Sequence, residues 1–138
     1  MVTITLKGRE IPLLYTVYEM KTIQEEIGPL DTVLYKATGR NRDDEADLSG
    51  FGSAEHLSTI AKLVRILGNA GLEEAGENPD LTDKKVMRAM KPGEVIGIAN
   101  ECMNAMTEGM RSEIPEKPSE GPVDVTLEEI TKKKEPES

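Results

Sequence analysis

At 138 residues with a net charge of -9, the chain is sized for one domain, and its acidity excludes the basic stripe that nonspecific nucleic-acid binding requires. Aromatic residues make up only 3% of it against 37% hydrophobic, so the core is expected to be aliphatic and rich in methionine. Cys102, the single cysteine, excludes an intramolecular disulfide and a cysteine-based zinc site, a pattern that fits a reducing cytosol. No stretch reaches the about 20 apolar residues of a membrane span, and the amino terminus alternates where a signal peptide would run apolar.

In chain order, Val2, Ile4 and Leu6 alternate with Thr3, Thr5 and Lys7, "KGRE" supplies a glycine turn and "IPLLYT" returns, which predicts a β-hairpin with Pro12 on an edge strand. Thr16 and Glu19 form the signature of a capping box, opening a helix to about Ile27 with Val17, Met20, Ile23 and Ile27 on its inner face. Gly28-Pro29 ends it. A short helix follows over residues 30 to 37 with Leu30, Val33 and Leu34 inward, and the polar stretch "TGRNRDDEADLSGFG" reads as a mobile loop. Ser53 then caps the central helix, in which Leu57, Ile60, Ala61, Val64, Leu67 and Gly68 recur at helical spacing.

In the connector "ILGNAGLEEAGENPDLT", Gly68 and Gly71 are expected to let this helix end and pack closely and Gly76 to turn the chain toward Asp80 and Thr82, either of which can cap a helix bearing Val86, Met87 and Met90. Pro92 suits the first turn of a last helix, whose inner stripe is Val95, Ala99, Cys102, Met106 and Gly109, with Ile96, Met103 and Met110 beside it. That doubled stripe is wide enough to meet two neighbours. Beyond Arg111 four prolines punctuate a run of Glu, Lys and Ser, and the composition predicts a disordered tail from 113 to 138, in which "DVTLEEITKKK" holds a marginal helix at most. The expected architecture is therefore α+β and mainly α-helical: a hairpin packed on four or five helices over residues 1–112, then an acidic tail.

Chemical constellations fail on their own terms. Gly68, Gly71 and Gly76 are not followed by the lysine and hydroxyl of a phosphate loop, since Glu77 and Asn78 stand there. Neither Glu73, Glu74, Glu77 and Asp80 nor Asn41, Asp43, Glu45 and Asp47 has the spacing and central glycine of a tight calcium loop. His56, the only histidine, and Cys102 lie on different helices without an orienting third group, so His56 reads as a partly exposed structural histidine and Cys102 as a small core residue. No catalytic, metal or cofactor site is expected. The methionines at 87, 90, 103, 106 and 110 have two readings, core filler or an adaptable binding groove, and Met103, Met106 and Met110 on the last helix are the candidate partner-binding residues.

Taken in order, "VTITLKGREIPLLYT", "IQEEIGPLD", "ILGNAGLEEAGENPDLT", "MKPGE" and "NAMTEGMR" resemble the tail assembly chaperones of long-tailed phages and prophages of Gram-positive bacteria, over most of residues 2 to 111. The resemblance rests on the order of segments and carries over no individual binding residue. It implies a small, mainly helical, non-enzymatic protein of the host bacterial cytoplasm that coats the tape-measure protein until tail-tube subunits polymerise around it, and that is absent from the mature virion. The partners implied are the tape-measure protein and the tail-tube protein, with weak self-association as a further expectation. A structural tail component, such as a tube or completion protein, is the alternative, and a small acidic enzyme dependent on His56 or Cys102 is the third class.

Overall fold

In the computed structural model, residues 1–40 and 50–111 are described. Two strands, β1 (Thr3–Leu6) and β2 (Arg9–Pro12), precede five helices: α1 (Val17–Glu26), α2 (Leu30–Thr38), α3 (Ala54–Glu74), α4 (Asp83–Ala89) and α5 (Val95–Met110), the last entered through a 3-10 turn at Pro92–Glu94. The hairpin is antiparallel, with Ile4 opposite Ile11 and Leu6 opposite Arg9. Lys7 (φ 50°) and Gly8 (φ 78°) both take left-handed conformations, as a two-residue turn must if its twist is to match that of its strands. The alternation expected from sequence sends Ile4, Leu6 and Ile11 into the core, and the outgoing chain adds Leu13 and Tyr15.

The helix starts follow the expected caps. Glu19 accepts the Thr16 backbone N–H at 3.0 Å as well as the Thr16 hydroxyl, Ser53 Oγ accepts the His56 N–H at 3.1 Å, and Thr82, rather than Asp80, accepts the Lys85 N–H at 3.1 Å. Each satisfies a backbone donor that a helix start leaves free. Pro92 occupies the 3-10 turn in front of α5, and Glu94 reaches back to accept the Lys91 N–H at 2.9 Å.

Three inward assignments are corrected. Val17, at the first position of α1, is 79% exposed, and Leu34 is 46% exposed while Ala37 is fully buried in its place. On α5 the expected stripe of Val95, Ala99, Cys102 and Met106 is buried, joined by Ile98 and Ala105, but Gly109, expected in the same stripe, is exposed. Val17 is simply the solvent-facing first residue of α1, whose Met20, Ile23 and Ile27 still pack inward, while α2 is turned slightly about its axis; α3 packs against β2, α1, α2, α4 and α5. α3 itself buries Ile60, Ala61, Leu63, Val64, Leu67 and Leu72 completely, the near-cylindrical apolarity of a helix enclosed by others.

The close packing expected at Gly68 and Gly71 is present, but neither ends the helix. α3 runs through both Gly68 and Gly71 to Glu74. A Cβ on Gly71 would lie 1.9 Å from the Pro12 carbonyl oxygen, and one on Gly68 would lie 2.7 Å from Leu81 Cδ1 and 3.1 Å from Ile11 Cγ2. On α5, a Cβ on Gly109 would fall 2.4 Å from the Tyr15 carbonyl oxygen. The strand leaving the hairpin is thus seated backbone to backbone on two helices, and the Leu14 N–H donates to the Leu67 carbonyl at 3.1 Å. Gly76 (φ 79°) does end the helix, with Glu77 N–H donating to Leu72 O at 2.8 Å and Gly76 N–H to Glu73 O at 3.0 Å, the paired bonds of a Schellman motif.

Beyond that cap the connector is clasped. Asn69 donates to the Leu81 carbonyl at 3.1 Å and accepts the Leu81 N–H at 2.9 Å, and Arg9 meets Asp80 at 3.0 Å. Arg65 pairs through Nε with Asp83 at 2.6 Å and through Nη2 with Glu26, joining α3 to α4 and α1. The 41–49 part of the expected loop and the 113–138 tail lie outside the described residues.

Candidate functional site

The chemical candidates separate first. His56 is buried, not half-exposed: its Nδ1 accepts the Gly52 N–H at 2.9 Å, which fixes the proton on Nε2, and Nε2 donates to the Ala37 carbonyl at 3.0 Å. The Phe51 ring lies against it, with centroids 5.0 Å apart. The histidine therefore clasps the turn at residues 50–52 to the end of α2, where Gly39 (φ 74°) terminates the helix. Cys102 is fully buried on α5, and burial, with a smaller contribution from the Glu101 charge, pushes its thiol up to about 12. Both ring nitrogens of His56 are committed to backbone groups, so it forms no pair with Cys102. Among the described residues no group of three or more His, Cys, Asp or Glu side chains is placed to hold a metal ion, and Glu73, Glu74 and Glu77 of the connector are all exposed. No helix among these residues is long and apolar enough to cross a membrane.

What remains is apolar surface. Along α5, Ile96 (57% exposed), Met103 (partly buried) and Met110 (62% exposed) follow one another at seven-residue spacing and lie along one line of the helix. Met106 does not join them. It sits in the core beside Cys102 at 5% exposure, since three residues beyond Met103 the helix has turned its side chain toward α3. Of the three candidate methionines, Met110 is open to solvent, Met103 lies at the edge of the core and Met106 belongs to the packing.

A second apolar surface is assembled from three separate parts of the chain. Phe51 and Leu57 at the start of α3, Met87 and Met90 at the end of α4, and Pro92 and Val95 entering α5 line a groove of about 330 Å³. Its shape follows from local chemistry. Met90 adopts an extended conformation (φ -95°, ψ 138°), as does Lys91 (φ -91°, ψ 149°), the latter because a residue before proline is pushed out of the helical region. The chain therefore steps away from α4 before α5 begins and leaves a cleft that Phe51 (46% exposed) and Met87 (44% exposed) flank. Two of the five methionines singled out from sequence thus line a groove, but they are those of α4 and not those of α5.

A third recess, of about 530 Å³, lies between the strand leaving the hairpin and the end of α5, bordered by Leu13, Tyr15, Val17, Glu108 and Arg111. The Tyr15 hydroxyl is buried there without a hydrogen-bond partner, and burial raises its pKa.

Fold and surface together define a small helical body with a seated hairpin and exposed apolar strips. No family model matches the chain, and no curated protein or solved structure does so either.

Proposed function

We propose that this protein is a phage tail assembly chaperone, a non-enzymatic protein of the host bacterial cytoplasm that holds the tape-measure protein, and tail-tube subunits with it, in soluble form until the tail is built. The observation that carries the reading is the order of segments from the hairpin through "EEIGPL", "GNAGLEEAGE" and "KPGE". The exposed methionine-bearing groove and the Ile96–Met110 line of α5 support it. A tape measure is a long helical chain whose apolar faces aggregate unless covered, and unbranched, polarisable methionine side chains adapt to successive, dissimilar stretches of such a chain.

Displacement by polymerising tube subunits requires each contact to be weak, so retention on the tape measure comes from many copies bound along one chain. The net charge of -9 keeps such a loaded assembly dispersed. Co-expression with a tape-measure protein tests the reading: that protein is expected in the soluble fraction only when this chain is present, and co-purifying with it. Insolubility regardless of this chain would overturn the proposal. Mass spectrometry of purified particles separates the alternative, because a structural tail component is retained in them and a chaperone is not.

A further inference from the structure

We infer that the groove formed by the start of α3, the end of α4 and the entry to α5 is a docking site for an acidic amphipathic helix supplied by another protein. Its walls, Phe51, Leu57, Met87, Met90, Pro92 and Val95, are apolar and offer none of the converging polar groups that orient a small ligand. The rim has the opposite sign to the molecule. Within a chain of net charge -9, α4 and the turn after it carry Lys84, Lys85, Arg88 and Lys91 against Asp83 and Glu94.

The neighbouring carboxylates are already engaged: Asp83 by Arg65 and Lys62, Glu55 by Lys36, and Glu94 by the Lys91 backbone N–H. Lys85 Nζ is turned back to the Asp80 carbonyl. Lys84, Arg88 and Lys91 are exposed and have no acidic partner among the described residues, whereas Arg9, Lys36, Lys62 and Arg65 each have one. Helical geometry puts Lys84, three residues before Met87, next to it on the solvent side, with Arg88 one turn beyond Lys84, and Lys91 stands between the two wall residues Met90 and Pro92.

A helix that lays an apolar stripe in the cleft and carries Asp or Glu along the flank of that stripe satisfies floor and rim together. A basic helix meets uncompensated like charge. The inference concerns the chemistry of the helix and does not depend on which protein owns it.

The test titrates the full-length, nitrogen-15-labelled protein with two synthetic helices of roughly five turns that share one leucine stripe and differ only in flanking residues, Glu in one and Lys in the other. The Glu peptide is expected to shift the amide resonances of Phe51, Leu57 and the Met87–Val95 stretch, to bind about tenfold more tightly than the Lys peptide as the combined effect of a few exposed ion pairs, and to lose that advantage in high salt. Arg88→Glu with Lys91→Glu, both at the surface, should leave the thermal melt in place and invert the preference. Met87→Glu should remove binding of the Glu peptide. Equal affinity for the two peptides, shifts confined to other surfaces, or no shifts at about millimolar peptide would overturn the proposal. So would groove resonances that move with protein concentration alone, which make a second copy the occupant, or stronger perturbation by an oligothymidine, which makes it a nucleic acid.

Discussion

Replacing Gly71 by alanine isolates the seating of the hairpin from every other contribution to stability. A methyl group there would enter 1.9 Å from the Pro12 carbonyl oxygen and 2.5 Å from its carbon, and both atoms belong to backbone that has no rotamer to change. Either α3 or the strand must withdraw, and the Leu14 N–H to Leu67 carbonyl bond goes with it. Overpacking of this kind costs about 1–3 kcal/mol and the lost hydrogen bond about 1 kcal/mol, while the better helix propensity of alanine returns about 1 kcal/mol. The net expectation is a loss of about 1–3 kcal/mol, or roughly 5–15 °C in Tm for a body of this size. Gly97 provides the internal control: it is exposed on α5 and a Cβ there meets nothing within 4 Å, so Gly97→Ala should gain about 0.5–1 kcal/mol. Urea denaturation followed by far-UV circular dichroism measures both, and amide exchange at Leu13 and Leu14 reports whether the hairpin lifts. If Gly71→Ala melts at or above the parent temperature, or the two variants move together, the backbone-to-backbone seat is refuted.

Further expectations follow from single side chains. Tyr15→Phe removes a buried hydroxyl that has no partner and should leave the protein as stable or up to about 1 kcal/mol more so; a clear loss in thermal denaturation would mean that the hydroxyl is bonded in solution. Met106→Lys should unfold or strongly destabilise the chain, since it places a charge in the core, whereas Met110→Lys, at 62% exposure, should leave the melt within about 0.5 kcal/mol and weaken any partner that lies along α5. Burial alone would raise the Asp83 carboxyl, but the hydrogen bond and charge of Arg65, with Lys62 behind it, outweigh burial and hold it below its ordinary value. Because its folded pKa is depressed, the stability it supplies is present above the unfolded value, about 3.9, and is lost as pH falls through the folded one. Asp83→Asn should flatten that part of the acid limb in a pH series of melts, and an unchanged limb would dismiss the Arg65 pair as its source. His56→Ala strips two backbone groups, Gly52 N–H and Ala37 C=O, of a buried partner and should cost about 2–4 kcal/mol, read as a lower denaturation midpoint.

Local chemistry was legible in the sequence and tertiary choice was not. The hairpin, the caps at Thr16, Ser53 and Thr82 and the entry at Pro92 depend on residues within a few positions of one another, and all stand where the pattern puts them. That α3 runs on through Gly71 to Glu74 was not legible, because the main chain that needs the missing side chain belongs to a strand more than fifty positions away in sequence. Leu34 and Ala37, three residues apart, differ by a modest rotation of α2 that only its packing against α3 can settle. Methionine content left core filler and an exposed groove both open, and the structure holds Met106 in the core and Met87 and Met90 on a groove. Its location did not follow, because the groove needs Phe51 and Leu57 beside Met87 and Met90, and no periodicity within one helix brings those together.

The seat of the hairpin also governs how such a protein can diverge. A contact between side chains can be exchanged for another of equal volume, but the approach at Gly71 and Gly109 is limited by main-chain atoms, and it admits almost nothing larger than hydrogen. Relatives whose every apolar residue has been replaced by a different apolar residue would still keep the smallest side chains at these two places, one near the end of the middle helix and one next to the end of the last. That sparse spacing, read together with a two-residue turn near the amino terminus, would mark common descent after overall resemblance has faded.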